Sequence, residues 1–264
     1  MNIVVVDNNH IKQHFSQIIT STTAQQIKKI IIKSKSGKGK TSLLKYFIQQ
    51  CGAADIPCIY FDFKTEDFKS EIDFTDQIIY YLTKFYNKIS FSSYDACLQD
   101  YYQLSNNEII IKNIKVIQSS IGNITTSNDI APRIIPKVAT AFWNDYNLTL
   151  SDKKIVLLLD SFEQAPDTIH NWVSRYLLKT DLSENQLYTI IAGQEEAFYN
   201  YAMDSDDIKK YLLPDNYSLE DWYKFGEQIH IIDKNYIDRC FNYYKGEPFY
   251  MCIALKPQGE LNDK

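Results

Sequence analysis

The chain lacks several things, and each absence removes a class of protein. No stretch of its 264 residues approaches the roughly 18 apolar residues in a row that a membrane-spanning helix needs. No two of its five cysteines, Cys51, Cys58, Cys97, Cys240 and Cys252, form a C-x-x-C pair, and the count is odd. That spacing argues against zinc or a disulfide framework and for a reducing cytoplasm. There is no excess of positive charge. With 28 Lys and Arg against 33 Asp and Glu the formal net charge is −5, so no global basic field draws the chain to nucleic acid or anionic lipid. His10 and His14 could share a helical face but have no third ligand, and His170 and His230 lie far from them, so the four histidines form no metal-ligand spacing. No repeat at solenoid spacing is present. The apolar run in the opening MNIVVVDNNH is too short for a signal peptide. A soluble, cytoplasmic chain with no membrane partner is the expectation.

What is present is a folded protein's composition, 45% apolar and 23% charged, in a chain long enough to bury a core without covalent staples. Short, strongly apolar runs at Lys28 to Lys33, Pro57 to Phe63, Lys154 to Asp160 and Leu187 to Ala192 read as strands, three of them apolar enough to be covered on both faces. Between them, apolar residues at helical spacing predict helices over Thr41 to Gln50, Thr75 to Ile89, Pro136 to Tyr146 and Ile169 to Leu178. Strands alternating with helices predict an α/β fold with a mainly parallel sheet between two helical layers. Residues 107–124 read as a β-hairpin inserted into that core. After residue 205 the pattern reads as helical only, from Leu219 to the end. The expected division is a core at 1–204 and a small helical subdomain at 205–264.

Two elements carry chemistry. Ser34 to Thr41 reads SKSGKGKT. A phosphate-binding loop needs glycines, here Gly37 and Gly39, so that consecutive backbone N–H groups can curl round an anion. It needs a lysine, Lys40, to reach the β- and γ-phosphates, and a neighbouring hydroxyl, Thr41, for Mg²⁺. Ser36, Gly37, Lys38, Gly39, Lys40, Thr41 and Ser42 are therefore the candidate nucleotide-binding residues, with the positive end of the following helix aimed at the phosphates. Ser34 stands where the full pattern has its first glycine, a change that a negative φ would make harmless. The plain alternative is a solvated lysine-rich turn; the loop's place between a buried strand and a helix favours phosphate binding. The second element, IVLLLDSFE from Ile155 to Glu163, ends a buried strand in Asp160. That places a carboxylate for Mg²⁺ at the carboxyl edge of the sheet. Glu163 is then the candidate general base for the attacking water. An ordinary strand-end aspartate and a solvated helix acid are the alternatives. Both elements in the right order point to a P-loop NTPase with Lys40, Asp160 and Glu163 as the catalytic set.

In these residues the chain resembles the signal-transduction ATPases with numerous domains (STAND), relatives of the AAA+ and origin-recognition ATPases. The resemblance runs from about Lys28 to Ala254. It rests on the phosphate loop, on LLLDSFEQAP at Leu157 to Pro166, on IIAGQE at Ile190 to Glu195, and on YYKGEPFYM at Tyr243 to Met251. The last resembles the Gly-x-Pro element of a helical lid, held here by Gly246 and Pro248, and implies Pro248 near the adenine. The resemblance implies a three-layer P-loop fold with a C-terminal helical lid, ATP and Mg²⁺ as cofactors, and a nucleotide-dependent switch or regulatory subunit, as in bacterial signalling or defence. Gln194 stands at the sensor position where an arginine is frequent, which implies slow hydrolysis. The chain has no room for the effector and sensor domains such proteins usually carry. Partner subunits or self-association are therefore the expected source of those functions.

Two other readings stay open. One is a nucleotide-bound scaffold that does not hydrolyse, which Gln194 favours; the other is a DNA-dependent AAA+ ATPase, which the acidic charge disfavours. The lysines at 28, 29, 33, 35, 38 and 40 form a basic cluster that phosphate binding explains without DNA. The aromatic residues Tyr80, Tyr81, Phe85 and Tyr86 fall at helical spacing and read as core or a protein interface rather than a base-stacking set.

Overall fold

Parallel strands need crossover connections, and the four apolar runs are separated by segments long enough to supply them. The computed structural model describes residues 8–21, 27–103, 131–180, 186–198, 206–231 and 233–255. A first helix, α1 (Asn9–Thr20), precedes β1 (Lys29–Lys33), α2 (Lys40–Ala53) and β2 (Cys58–Asp62). Then come α3 (Glu71–Phe85), a helix α4 over 92–103 and α5 (Ala131–Leu150). The chain continues through β3 (Ile155–Asp160), α6 (Asp167–Trp172) with a π-helical turn at Val173–Leu177, β4 (Leu187–Gly193) and β5 (Ile208–Leu212). Three helices finish it: α7 (Leu219–Gln228), α8 (Lys234–Tyr244) and α9 (Pro248–Ala254). The expected hairpin at 107–124 lies outside the described residues.

The chain divides into two compact units, residues 1–70 with 153–264, and residues 71–152. The first holds the sheet, ordered β2-β3-β4-β1-β5 with every pairing parallel. Side chains alternate faces along a strand, and both faces are covered. On one, Ile30, Ile32, Val156, Leu158, Tyr188, Ile190 and Ala192 pack with Ile11, Phe15 and Ile18 of α1 and Leu43, Leu44 and Phe47 of α2. Residues of the other parity, Ile31, Leu157, Leu159 and Ile191, are equally buried. Each such side chain contributes about 1.5–3 kcal/mol on burial, which is why β1, β3 and β4 are apolar almost throughout. This is an α/β fold with a parallel sheet, as expected.

β5 corrects one expectation. Residues after 205 were expected to be helical only, yet IKKYL at 208–212 pairs with β1 from Lys29↔Ile208 to Lys33↔Leu212. An edge strand with no fully buried residue has too little apolar pattern to announce itself. The helices α7 to α9 then share their own core, with Tyr217, Trp222, Phe225, Ile237, Cys240, Met251 and Leu255 buried together.

The second unit, residues 71–152, is helical where described. Phe91 stacks on Phe142 at 5.6 Å between ring centres. The buried Asp145 carboxylate accepts from the Tyr94 N–H at 2.9 Å, and the Tyr94 hydroxyl donates to Asp76 at 2.6 Å. The core face of α3 is Ile72, Phe74, Ile78 and Leu82, whereas Tyr80 and Phe85 are 54% and 43% exposed. α5 starts five residues before Pro136, the residue expected to open it.

Candidate functional site

In a parallel sheet every strand ends at the same edge, so the segments after β1, β3 and β4 converge. The Ser34 N–H donates to the Gly193 carbonyl at 3.3 Å, joining the exit of β1 to that of β4. From there Ser36 to Gly39 turn into α2. Gly37 and Gly39 have φ of 77° and 90°, a left-handed backbone that a side chain would strain. No atom lies within 4 Å of where a Cβ on Gly39 would sit, so the loop there is open. Ser34 is not among the positive-φ residues, and its serine costs the loop no strain.

Lys40 is buried and turned into the loop. Its ammonium donates to the Ser34 carbonyl at 2.7 Å, the Lys35 carbonyl at 2.8 Å and Ser34 Oγ at 3.2 Å. Burial lowers its pKa, opposed by the nearby carboxylates of Glu163, Asp160 and Glu196. Asp160, 1% exposed, closes β3. Its Oδ1 accepts from the Ser161 N–H at 2.8 Å and its Oδ2 from the Tyr60 hydroxyl at 3.0 Å. The Thr41 hydroxyl is a further partner, so the first turn of α2 and the residue that closes β3 meet. Burial raises the Asp160 pKa against these three hydrogen bonds. The next residue, Ser161, takes φ 53° and swings the chain into the short turn that carries Glu163.

Glu163 meets Gln194. The backbone N–H of Gln194 donates to Glu163 Oε2 at 2.9 Å, and the Gln194 side-chain amide to Oε1 at 3.2 Å. A cavity of about 470 Å³ opens beside Glu163, with Asp167, His170, Ser174 and Glu196 also lining it.

The Gly-x-Pro segment reaches the same loop. Lys245 and Gly246 take φ of 56° and 72°. A Cβ on Gly246 would lie 2.7 Å from both the Tyr217 carbonyl and the Phe241 ring, so only glycine fits. Glu247 caps α9, its Oε2 accepting from the Tyr250 N–H at 3.2 Å. Its other oxygen pairs with Lys38 at 2.7 Å, the two side chains being 25% and 9% exposed. Pro248 is buried behind it at the first position of α9, where its missing N–H costs nothing. Phe249 Cβ lies 3.4 Å from a Cβ built on Gly37. An exposed pair, Lys35 and Asp215 at 2.7 Å, adds a second link.

The structure thus brings together Lys38, Lys40, Thr41, Asp160, Glu163, Gln194 and the residue before Pro248. Ser36 and Ser42 sit within the same loop and first helical turn. It separates part of the basic cluster from them. Lys29 starts β1 at the opposite end and is buried, donating to the Leu178 and Thr180 carbonyls and to Asp207. Lys33 lies over the Phe198 ring at 5.3 Å. Phosphate binding therefore does not account for the whole cluster. Sequence reading missed Tyr60 and Glu247. The one signal for Glu247 was its place before a helix-opening proline. Among the described residues no group of three or more metal-ligating side chains stands apart as a metal site, and no helix is long and apolar enough to cross a membrane.

No protein-family model matches the chain. The STAND protein PH0952 of Pyrococcus horikoshii, which carries a tetratricopeptide repeat sensor, superposes on 99% of this chain and 31% of its own, with a TM-score of 0.52 at 13% identity. The chain has the fold of the STAND P-loop ATPases. The Orc1 protein of Aeropyrum pernix, solved in complex with DNA, superposes more loosely, over 96% of this chain and 58% of its own, with a TM-score of 0.47 at 10% identity. In sequence, an uncharacterized ATP-binding protein of Methanocaldococcus jannaschii is 25% identical over 241 residues, 82% of this chain. The chain spans 60% of that curated relative and 31% of the STAND structure. Within this fold, the candidate loop at 34–41 follows β1, and the strand-end Asp160 lies two strands away, beyond β4.

Proposed function

We propose that the chain binds ATP with Mg²⁺ at residues 36–42 and acts as a nucleotide-dependent switch, with α7 to α9 as the lid that responds. The open loop at Gly39, the helix start at Lys40 and the buried Asp160 beside the Thr41 hydroxyl fit a magnesium-bound triphosphate. Lys40 would turn from the loop carbonyls to the phosphates, and Thr41 and Asp160 would hold the metal. Bound magnesium supplies charge neutralisation at the phosphate oxygens. The similarity to an ATP-binding protein supports the same ligand.

The observation that carries the switch is the Lys38–Glu247 pair. The loop that would hold the phosphates is bonded to the carboxylate that caps α9, so an anion in the loop competes with Glu247 for Lys38. A ligand shifts a two-state element only through such differential contacts. Amide hydrogen exchange across residues 247–255, with and without Mg²⁺ and ATP, tests this. The expected result is a change in protection that is absent in Lys40→Ala; identical exchange in the parent with saturating ATP would contradict the switch.

One observation favours the non-hydrolysing alternative. Both oxygens of Glu163 are engaged by Gln194, and glutamine brings no positive charge to a developing anion. Hydrolysis is accordingly proposed to be slow. Partner chains remain the proposed source of effector and sensor functions.

A further inference from the structure

Tyr60 belongs to neither chemical motif, yet it touches Asp160. In the β2·β3 register Asp62 stands opposite Asp160 and Tyr60 opposite Leu158. Tyr60 and Asp160 are thus diagonal neighbours on one face of the sheet, a separation that a long side chain can bridge and a short polar one cannot. The hydroxyl of Tyr60 reaches Asp160 Oδ2 at 3.0 Å. A carboxylate 1% exposed has its oxygens held by protein donors. Here those donors come from three segments: the Ser161 N–H just after β3, the Thr41 hydroxyl at the start of α2, and Tyr60 on β2. Ser161 sits on the same turn as Asp160, and Thr41 is itself a proposed magnesium ligand. Tyr60 is the donor that holds the carboxylate from a separate strand.

We infer that Tyr60 is a positioning residue, orienting the Asp160 carboxylate so that it and the Thr41 hydroxyl present a preformed pair of oxygens to a divalent cation bound with nucleoside triphosphate. This rests on the reading of Asp160 and Thr41 as the magnesium ligands. Without the Tyr60 hydroxyl, Oδ2 is free to rotate, and the geometry is assembled only as the metal arrives. The cost falls on the metal-dependent part of binding, because the loop amides and Lys40 contact phosphate and not Asp160.

The test is Tyr60→Phe, which keeps the ring and removes one oxygen. ATP affinity is measured for the parent and the variant by calorimetry in Mg²⁺ and again in excess chelator. Mn²⁺ uptake in the presence of ATP is followed by electron paramagnetic resonance as an independent readout of the metal. Loss of one hydrogen bond to a charged group predicts a gain from Mg²⁺ about tenfold to a hundredfold smaller and similarly weaker Mn²⁺ uptake. Affinity in chelator should match the parent. Equal Mg²⁺ gain in both proteins overturns the inference, as does tighter metal binding by the variant, which would mean that the hydroxyl competes with the cation. A loss of equal size with and without metal also overturns it, since that is what a purely structural role would give. A parent that binds no ATP, or binds it without regard to Mg²⁺, overturns the underlying reading of the site instead.

Discussion

At the scale of single residues, the site is a set of charges held by neutral donors and acceptors. Lys40 is desolvated and satisfied by loop carbonyls, Asp160 by three donors, and Glu163 by Gln194. A buried charge survives only when its partners are complete, so Lys40 and Asp160 are already oriented. Glu163 lines a cavity of about 470 Å³ and is the proposed base. Removing a general base costs about a hundredfold or more in rate while leaving ground-state binding intact. Phosphate release by Glu163→Gln should therefore fall at least about a hundredfold from a slow parental rate, with ATP affinity retained. Equal release by both proteins would remove Glu163 from the chemistry. Release by neither would favour the non-hydrolysing reading that Gln194 supports.

At the scale of elements, helix ends do much of the positioning. α7 opens with a reciprocal cap in which Ser218 Oγ accepts from the Asp221 N–H and the Asp221 carboxylate accepts from the Ser218 N–H. Such a cap is worth about 1 kcal/mol. Ser218→Ala should lower urea stability by about that amount if α7 to α9 unfold with the sheet; a second, earlier transition confined to that part would show that they unfold separately. Elements also explain what the sequence could disclose. β1, β3 and β4 were legible because both faces are buried, leaving little but aliphatic residues. β5 was not, because IKKYL needs only to hydrogen-bond at an edge. The candidate loop at 34–41 was legible as a proposal because its pattern is local, eight residues in a row. The Tyr60–Asp160 and Lys38–Glu247 contacts span 100 and 209 residues. No periodicity or spacing rule joins residues so far apart; only the strand order and the docking of α9 do.

At the scale of the whole molecule, the sheet gathers three strand ends at one edge, and the C-terminal helices reach back to that edge through Glu247 and Asp215. On the proposed function, ligand capture and the response to it would be coupled through side chains already in contact. All of this depends on a triphosphate entering the loop. The measurement that decides it is titration calorimetry of ATP with Mg²⁺ into the parent and into Lys40→Ala. The expected result is saturable binding at one site in the parent and at least about a hundredfold weaker binding in Lys40→Ala, from the loss of charge-assisted hydrogen bonds to phosphate. No heat of binding in a folded parent, or equal affinity in both proteins, would contradict it.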